Sequence, residues 1–151
     1  MKALVFLNKK NDYSKKIVLF LRKKKFKIKI IWSGENYENL SKKIGSWKGD
    51  FIFHLSSYYK IPQKTLNKAK KLSINFHTAL PKYPGRGGYS WALFNEDKYY
   101  GITVHKINNK IDNGKIIYVS KFIISNSESL DSLIQKTKFF QFVTFKKIIN
   151  E

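Results

Sequence analysis

The 151-residue chain contains no cysteine, which excludes a disulfide framework, a thiolate-ligated zinc or iron–sulfur site, and thiol catalysis. Acidic residues are scarce, 10 against 30 basic ones, leaving a net charge of +20. Arginine is almost missing too, since Arg22 and Arg86 are the only two in the chain. Specific phosphate and base recognition favours the guanidinium fork, so a lysine-driven charge points first to a solvated surface, with an anionic substrate, cofactor or RNA as the alternative. No apolar run approaches the roughly 18 residues of a membrane span, and the N-terminus carries no cleavage signature. These absences predict a cytoplasmic protein. There is no internal repeat, low-complexity segment or linker, and residues 1–151 read as a single domain.

What is present is a 42% hydrophobic chain, long enough to bury a core without metal or disulfide staples. Lys2 to Leu7 reads as a buried strand, and Tyr13 to Lys24 places Ile17, Phe20 and Leu21 at helical spacing. Phe26 to Trp32 alternates as a half-buried strand. A helix is expected over 35–44, a strand over 50–55, a helix from Pro62 to about Lys71, and a fourth strand over Leu72 to His77. This alternation predicts an α/β fold, a Rossmann-like and mostly parallel sheet. Residues 78–89 hold two of the three prolines and three of the eight glycines, an ordered irregular loop, followed by a short helix over 90–94. Strands over 101–107 and 115–124 are joined by too few residues for a helical crossover, so they form an antiparallel pair near the C-terminus. A helix over 130–149 follows.

The informative strand is the fourth. Ser73, Asn75 and His77 share one face, while Leu72, Ile74 and Phe76 take the other. Polar residues near the carboxyl end of a central strand are expected where an open α/β sheet binds its ligand. The bland alternatives are a turn-capping asparagine and a histidine satisfied by backbone. Asp112-Asn113-Gly114 is likewise a good turn sequence in its own right. Trp91 reads as a core residue, His54 as an edge or core histidine, and His105 as a histidine packed behind the strand. A metal site from His54, His77 and His105 lacks a close ligand pair, so no metal is expected. Gly88-Tyr89-Ser90-Trp91-Ala92 lacks the second glycine and the preceding strand of a nucleophile elbow.

Asn75-Phe76-His77 runs into Leu80-Pro81-Lys82-Tyr83-Pro84-Gly85, and then come Trp91-Ala92, Gly101-Ile102-Thr103-Val104-His105 and Ile111-Asp112-Asn113-Gly114-Lys115-Ile116-Ile117. In order and spacing these motifs resemble the catalytic domain of the 10-formyltetrahydrofolate-dependent formyltransferases, over about residues 73–119. The type most similar is the compact sugar N-formyltransferase. The resemblance implies the formyltransferase fold, 10-formyltetrahydrofolate as cosubstrate, and Asn75, His77 and Asp112 as catalytic residues. Asn75 would donate to the developing oxyanion, His77 would donate to it or relay a proton, and Asp112 would take the amine proton and orient the imidazole. Such a reaction requires neither a covalent enzyme intermediate nor a metal. By the same resemblance, Leu80, Pro81 and Gly85 of the loop and Ile107, Asn108, Asn109, Lys110 and Ile111 before the aspartate would lie at the cofactor.

Departures narrow the acceptor. Thr78-Ala79 stands where many members have Pro-Ser after the histidine. Leu7-Asn8-Lys9-Lys10-Asn11 has no glycine, unlike the phosphate loop of the glycinamide ribonucleotide enzymes. The chain ends at its terminal helix, whereas methionyl-tRNA formyltransferases usually carry a further β-barrel. The expected acceptor is therefore a small anionic amine, the amino group of a nucleotide-linked sugar. Formylation of another amine such as methionyl-tRNA, or a non-catalytic basic nucleic-acid-binding module on the same fold, are the alternatives, and a homodimer is left open.

Overall fold

Every residue of strand β1 (Lys2–Asn8) from Ala3 to Leu7 is buried, as in a strand covered on both faces. The computed structural model describes residues 1–33 and 37–151. The other strands are β2 (Lys27–Ser33), β3 (Gly49–Leu55), β4 (Ala69–His77), β5 (Tyr99–Lys106) and β6 (Ile116–Ile123), and the helices are α1 (Ser14–Lys23), α2 (Tyr37–Ile44), α3 (Gln63–Leu66), α4 (Gly88–Phe94) and α5 (Leu130–Asn150). The strands form one sheet in the order β2-β1-β3-β4-β5-β6. Pairings from β2 through β4 are parallel, and β4–β5 and β5–β6 are antiparallel. This is the predicted α/β sheet with its antiparallel pair. The first two residues of the helix expected over 35–44 lie outside the described residues.

Alternation sorts the core onto two faces. Ala3, Val5 and Leu7 join Phe53, Ile74, Phe76 and Val104 against Ile17 and Leu21 of α1 and Phe145 of α5. Leu4, Phe6, Ile31 and Ile52 pack on the opposite face against Leu40 and Ile44 of α2 and Leu66 of α3. Phe145 anchors α5 edge-on to Phe53 and Phe76, at centroid distances of 5.6 and 5.1 Å. A third cluster beside the antiparallel end gathers Ala79, Ala92, Tyr100, Phe122 and Leu133.

Two expectations are corrected. The helix foreseen from Pro62 to Lys71 stops at Leu66, because the sheet captures the chain sooner: the Gly49 N–H donates to the Lys68 carbonyl, and Ala69 pairs with Gly49. Trp91 is not core but 56% exposed. In α4 the small Gly88 and Ala92, four residues apart on one face, meet the body of the protein, and Trp91 lies one residue off that face.

Helix α5 starts at a capping box in which Ser129 and Ser132 bond each other's backbone N–H. Its middle is unusual in burying Thr137, Gln141 and Thr144. Gln141 is fully buried; its Nε2 donates to the Phe76 carbonyl at 2.7 Å, and its Oε1 accepts from Ser56 Oγ at 2.8 Å. The helix is thus tied by hydrogen bonds to the ends of β3 and β4. Gln141→Leu strands both partners without a replacement, and we expect it to cost about 1–3 kcal/mol, read as a lower urea midpoint; an unchanged midpoint would show that water takes over both bonds.

Candidate active site

A cavity of about 1120 Å³ opens at the carboxyl ends of the parallel strands, lined by Asn8, Ser33, His54, Ser56, Asn75 and His77. An open α/β sheet offers a ligand this position because the strand ends there diverge into loops. Tyr58, Tyr59, Ile107 and Ile111 supply apolar wall, and Lys9, Lys10, Lys60, Arg86, Lys110 and Lys138 also line it. Ser33 Oγ is buried with no hydrogen-bond partner among the described residues.

Neighbouring strands bring the polar cluster together by register. His54 lies opposite Asn75 in the β3–β4 pair, and Asn75 opposite His105 in the β4–β5 pair. The Asn75 amide occupies the centre: Nδ2 donates to Asp112 Oδ1 at 3.0 Å and lies 3.1 Å from His105 Nε2, while Oδ1 is 2.9 Å from His54 Nδ1. The second Asp112 oxygen accepts the Gly85 N–H at 2.8 Å and lies 3.3 Å from His77 Nδ1. Each histidine has its other ring nitrogen on a main-chain carbonyl: His77 on Tyr83 at 2.8 Å, His105 on Lys106 at 2.8 Å, and His54 on Tyr59 at 3.0 Å.

Asp112 is held in place from both sides of its turn. Its φ of 47° is in the left-handed region, which costs a non-glycine residue about 1–3 kcal/mol unless the surroundings over-determine it. Two residues on, a Cβ at Gly114 would overlap the Lys106 carbonyl and crowd His105 Nδ1. Gly114 therefore lets the turn close against β5, and Gly85, at φ 77°, turns its N–H to the carboxylate. Burial pushes the Asp112 carboxyl up, but the facing His105 and His77 imidazoles and the Gly85 N–H together hold it below the ordinary carboxylate value. It is therefore ionised at neutral pH.

Around this cavity the structure assembles Asn75, His77, Gly85, His105, Ile107, Asn108, Lys110, Ile111 and Asp112. Pro81 lines a smaller cavity on the other side of His77 and Asp112. Leu80 is buried beneath its loop toward Gly101, and the exposed Asn109 lines neither cavity. His105 is 3% exposed and in contact with Asn75 and Asp112. The sequence reading missed His54, whose place in the cluster depends on which residue of β3 falls opposite Asn75. Gln141 too went unremarked, although a glutamine among the apolar positions of the terminal helix was a usable signal.

The fold and this cluster define an open α/β protein with a group of titratable side chains at the carboxyl edge of its sheet. Residues 2–148 match the formyl transferase family, and the chain belongs to that family. It is 38% identical over 117 residues to a methionyl-tRNA formyltransferase of Buchnera aphidicola, covering 76% of this chain and 36% of the relative. It is 34% identical over 143 residues to the bifunctional polymyxin resistance protein ArnA of Wigglesworthia glossinidia, covering 89% of this chain and 22% of the relative. The chain thus spans about a third or less of the length of these curated relatives. Among solved structures, an N-formyltransferase from Helicobacter canadensis in complex with folinic acid and dTDP-3-aminofucose superposes with a TM-score of 0.82 at 21% identity, covering 99% of this chain and 62% of that one. A phosphoribosylglycinamide formyltransferase from Bacillus halodurans gives a TM-score of 0.79 at 15% identity, covering 97% and 92%. At such identities the structures speak for the fold. None of the described helices is long and apolar enough to cross a membrane.

Acid should weaken the fold through this cluster. Burial holds the His54 ring below its ordinary value, so as pH falls below about 6.5 the unfolded chain binds a proton that the folded ring resists. Stability present above that pH is then lost, with a slope of up to about 1.4 kcal/mol per pH unit. Asp112 adds a loss in the same sense below about pH 4. Urea midpoints at pH 7, 5.5 and 4 should fall in turn, and His54→Leu should flatten the first step; a first step of equal size in that variant would assign it elsewhere. Gly114→Ala should destabilise by about 1–3 kcal/mol through the overlap, seen as a lower melting temperature, and a wild-type melt would mean that the turn moves freely.

Proposed function

We propose that the chain transfers a formyl group from 10-formyltetrahydrofolate to a primary amine, the acceptor being the amino group of a nucleotide-linked sugar. The observation that carries this reading is the convergence of Asn75, His77 and Asp112 on one wall of the cavity. A volume of about 1120 Å³ exceeds the usual drug-sized pocket and suits two ligands side by side. Ile107 and Ile111 offer apolar surface to a planar ring beside Asp112, and the strand-end serines and lysines offer polar contacts on the far side. When bound, the folate supplies the activated formyl carbon.

The chain's residues then act on proton and charge. Asn75 Nδ2 keeps one hydrogen on Asp112 Oδ1 and turns the other, which otherwise faces His105 Nε2, to the formyl oxygen as the amine nitrogen bonds to the carbon and negative charge builds on that oxygen. His77 keeps its Nε2 proton on the Tyr83 carbonyl, so its inward Nδ1 offers a lone pair toward Asp112 Oδ2. That contact becomes a hydrogen bond only when a proton enters between them. The Asp112–His77 pair is therefore built to accept the proton lost by the amine and to return it to the donor nitrogen as that bond breaks. Lys9, Lys10, Lys60 and Arg86 around the opening favour an anionic acceptor such as a nucleotide diphosphate. A methionyl-tRNA acceptor is the second reading, favoured by the 38% identical relative.

His77→Ala and Asp112→Asn should each abolish amine-dependent release of tetrahydrofolate, and Asn75→Ala should lower kcat about 10²- to 10³-fold, with each variant folded by circular dichroism. Near-normal turnover in the first two would sink the mechanism. Assays with dTDP- and UDP-linked amino sugars, glycinamide ribonucleotide and methionyl-tRNA separate the acceptors: turnover with the sugars supports the first reading, and turnover with tRNA alone replaces it with the second.

A further inference from the structure

We propose that His54 is a positioning residue which, by donating from Nδ1 to Asn75 Oδ1, holds the Asn75 amide with its NH2 end toward Asp112. The inference rests on the formyl-transfer reading for its catalytic consequence, but its geometry stands apart from it. An amide can sit either way round in a site, and its neighbours decide. On one side of Asn75 lie Asp112 Oδ1 at 3.0 Å and His105 Nε2 at 3.1 Å. The carboxylate is an acceptor, and so is His105 Nε2, because the ring's one proton is on Nδ1 against the Lys106 carbonyl at 2.8 Å. Reversing the amide would set Oδ1 against both lone pairs at once. The NH2 end therefore belongs there, and Oδ1 is left facing His54.

His54 then needs a proton on Nδ1 to meet Oδ1 at 2.9 Å. Its other nitrogen lies 3.0 Å from the Tyr59 carbonyl, a second acceptor competing for the same ring proton. A neutral ring serves only one of them. Two unfavourable contacts at Asn75 outweigh one at Tyr59, so the proton goes to Nδ1. The ring is boxed in by Phe6 of β1, whose centroid is 5.8 Å away, and Phe6 in turn stacks on Tyr59 at 5.6 Å. The ionisable groups acting on the ring are Asp112 and His105, both across Asn75. Tautomer and amide orientation are thus locked together along one line from Asp112 through Asn75 to His54.

Two measurements test this. Long-range 1H–15N spectra of the wild-type protein at neutral pH should show the His54 proton on Nδ1 and the Asn75 side-chain amide pair displaced from free-amide positions. A ring protonated on Nε2 alone, or an undisplaced Asn75 pair, overturns the proposal without any need for turnover. In formyl-transfer assays, His54→Leu should lower kcat at least about tenfold while changing KM for the formyl donor less than about twofold. His54→Asn, whose amide NH2 stands where Nδ1 stood, should recover kcat to within about threefold of wild type. A Leu variant with wild-type kcat, or an Asn variant no better than Leu, overturns the positioning role. Should the wild-type protein transfer no formyl group while the spectra come out as expected, the functional reading fails and the His54–Asn75 assignment stands.

Discussion

A single half-buried carboxylate governs this end of the molecule. Asp112 takes hydrogen bonds from the Asn75 side chain and the Gly85 backbone and faces His77 and His105, so three separate stretches of chain, β4, the loop after it and β5, must arrive at the right distance for one charge to be tolerated away from water. The β4–β5 antiparallel pairing, the glycine-bearing loop after β4 and the close turn at Gly114 can each be understood as meeting that demand. The same charge dictates the orientation of its neighbours. It pins one end of an amide, the amide's other end dictates where a buried imidazole keeps its proton, and the site's internal order spreads outward from the aspartate.

Much of the fold could be read from alternation and spacing, because strands buried on one or both faces leave a periodic trace. The polar face of β4 stood out for the same reason: Ser73, Asn75 and His77 break a pattern that burial would otherwise enforce. Motif order brought Asp112 to the same place. What could not be read was anything that depends on register between strands. Whether His54 or a neighbour faces Asn75 is decided by a one-residue offset between β3 and β4, and a single chain carries no record of that offset. The length of α3 failed differently, since local helix preference after Pro62 was overridden by sheet pairing at Ala69. Trp91 misled because bulk and apolarity suggested burial, whereas helical phase gave the inward position to Ala92.

The net charge of +20 and the cluster around Asp112 occupy different length scales. Lysines are spread over most of the surface, where water and salt weaken their individual effects. Those that line the cavity with Arg86 sit in a concave site that concentrates their field. The lysine field thus reaches beyond the surface, while the cluster around Asp112 is set by direct hydrogen bonds.

Because Gln141 satisfies the Phe76 carbonyl from 65 residues further along the chain, the interval also has a meaning in time. At a synthesis rate of about 5–20 residues per second, the ribosome completes β4 roughly 3–13 s before it adds the glutamine that this strand needs. Through that interval only water can meet the Phe76 carbonyl, and the apolar surface that Phe145 later covers has no cover from α5.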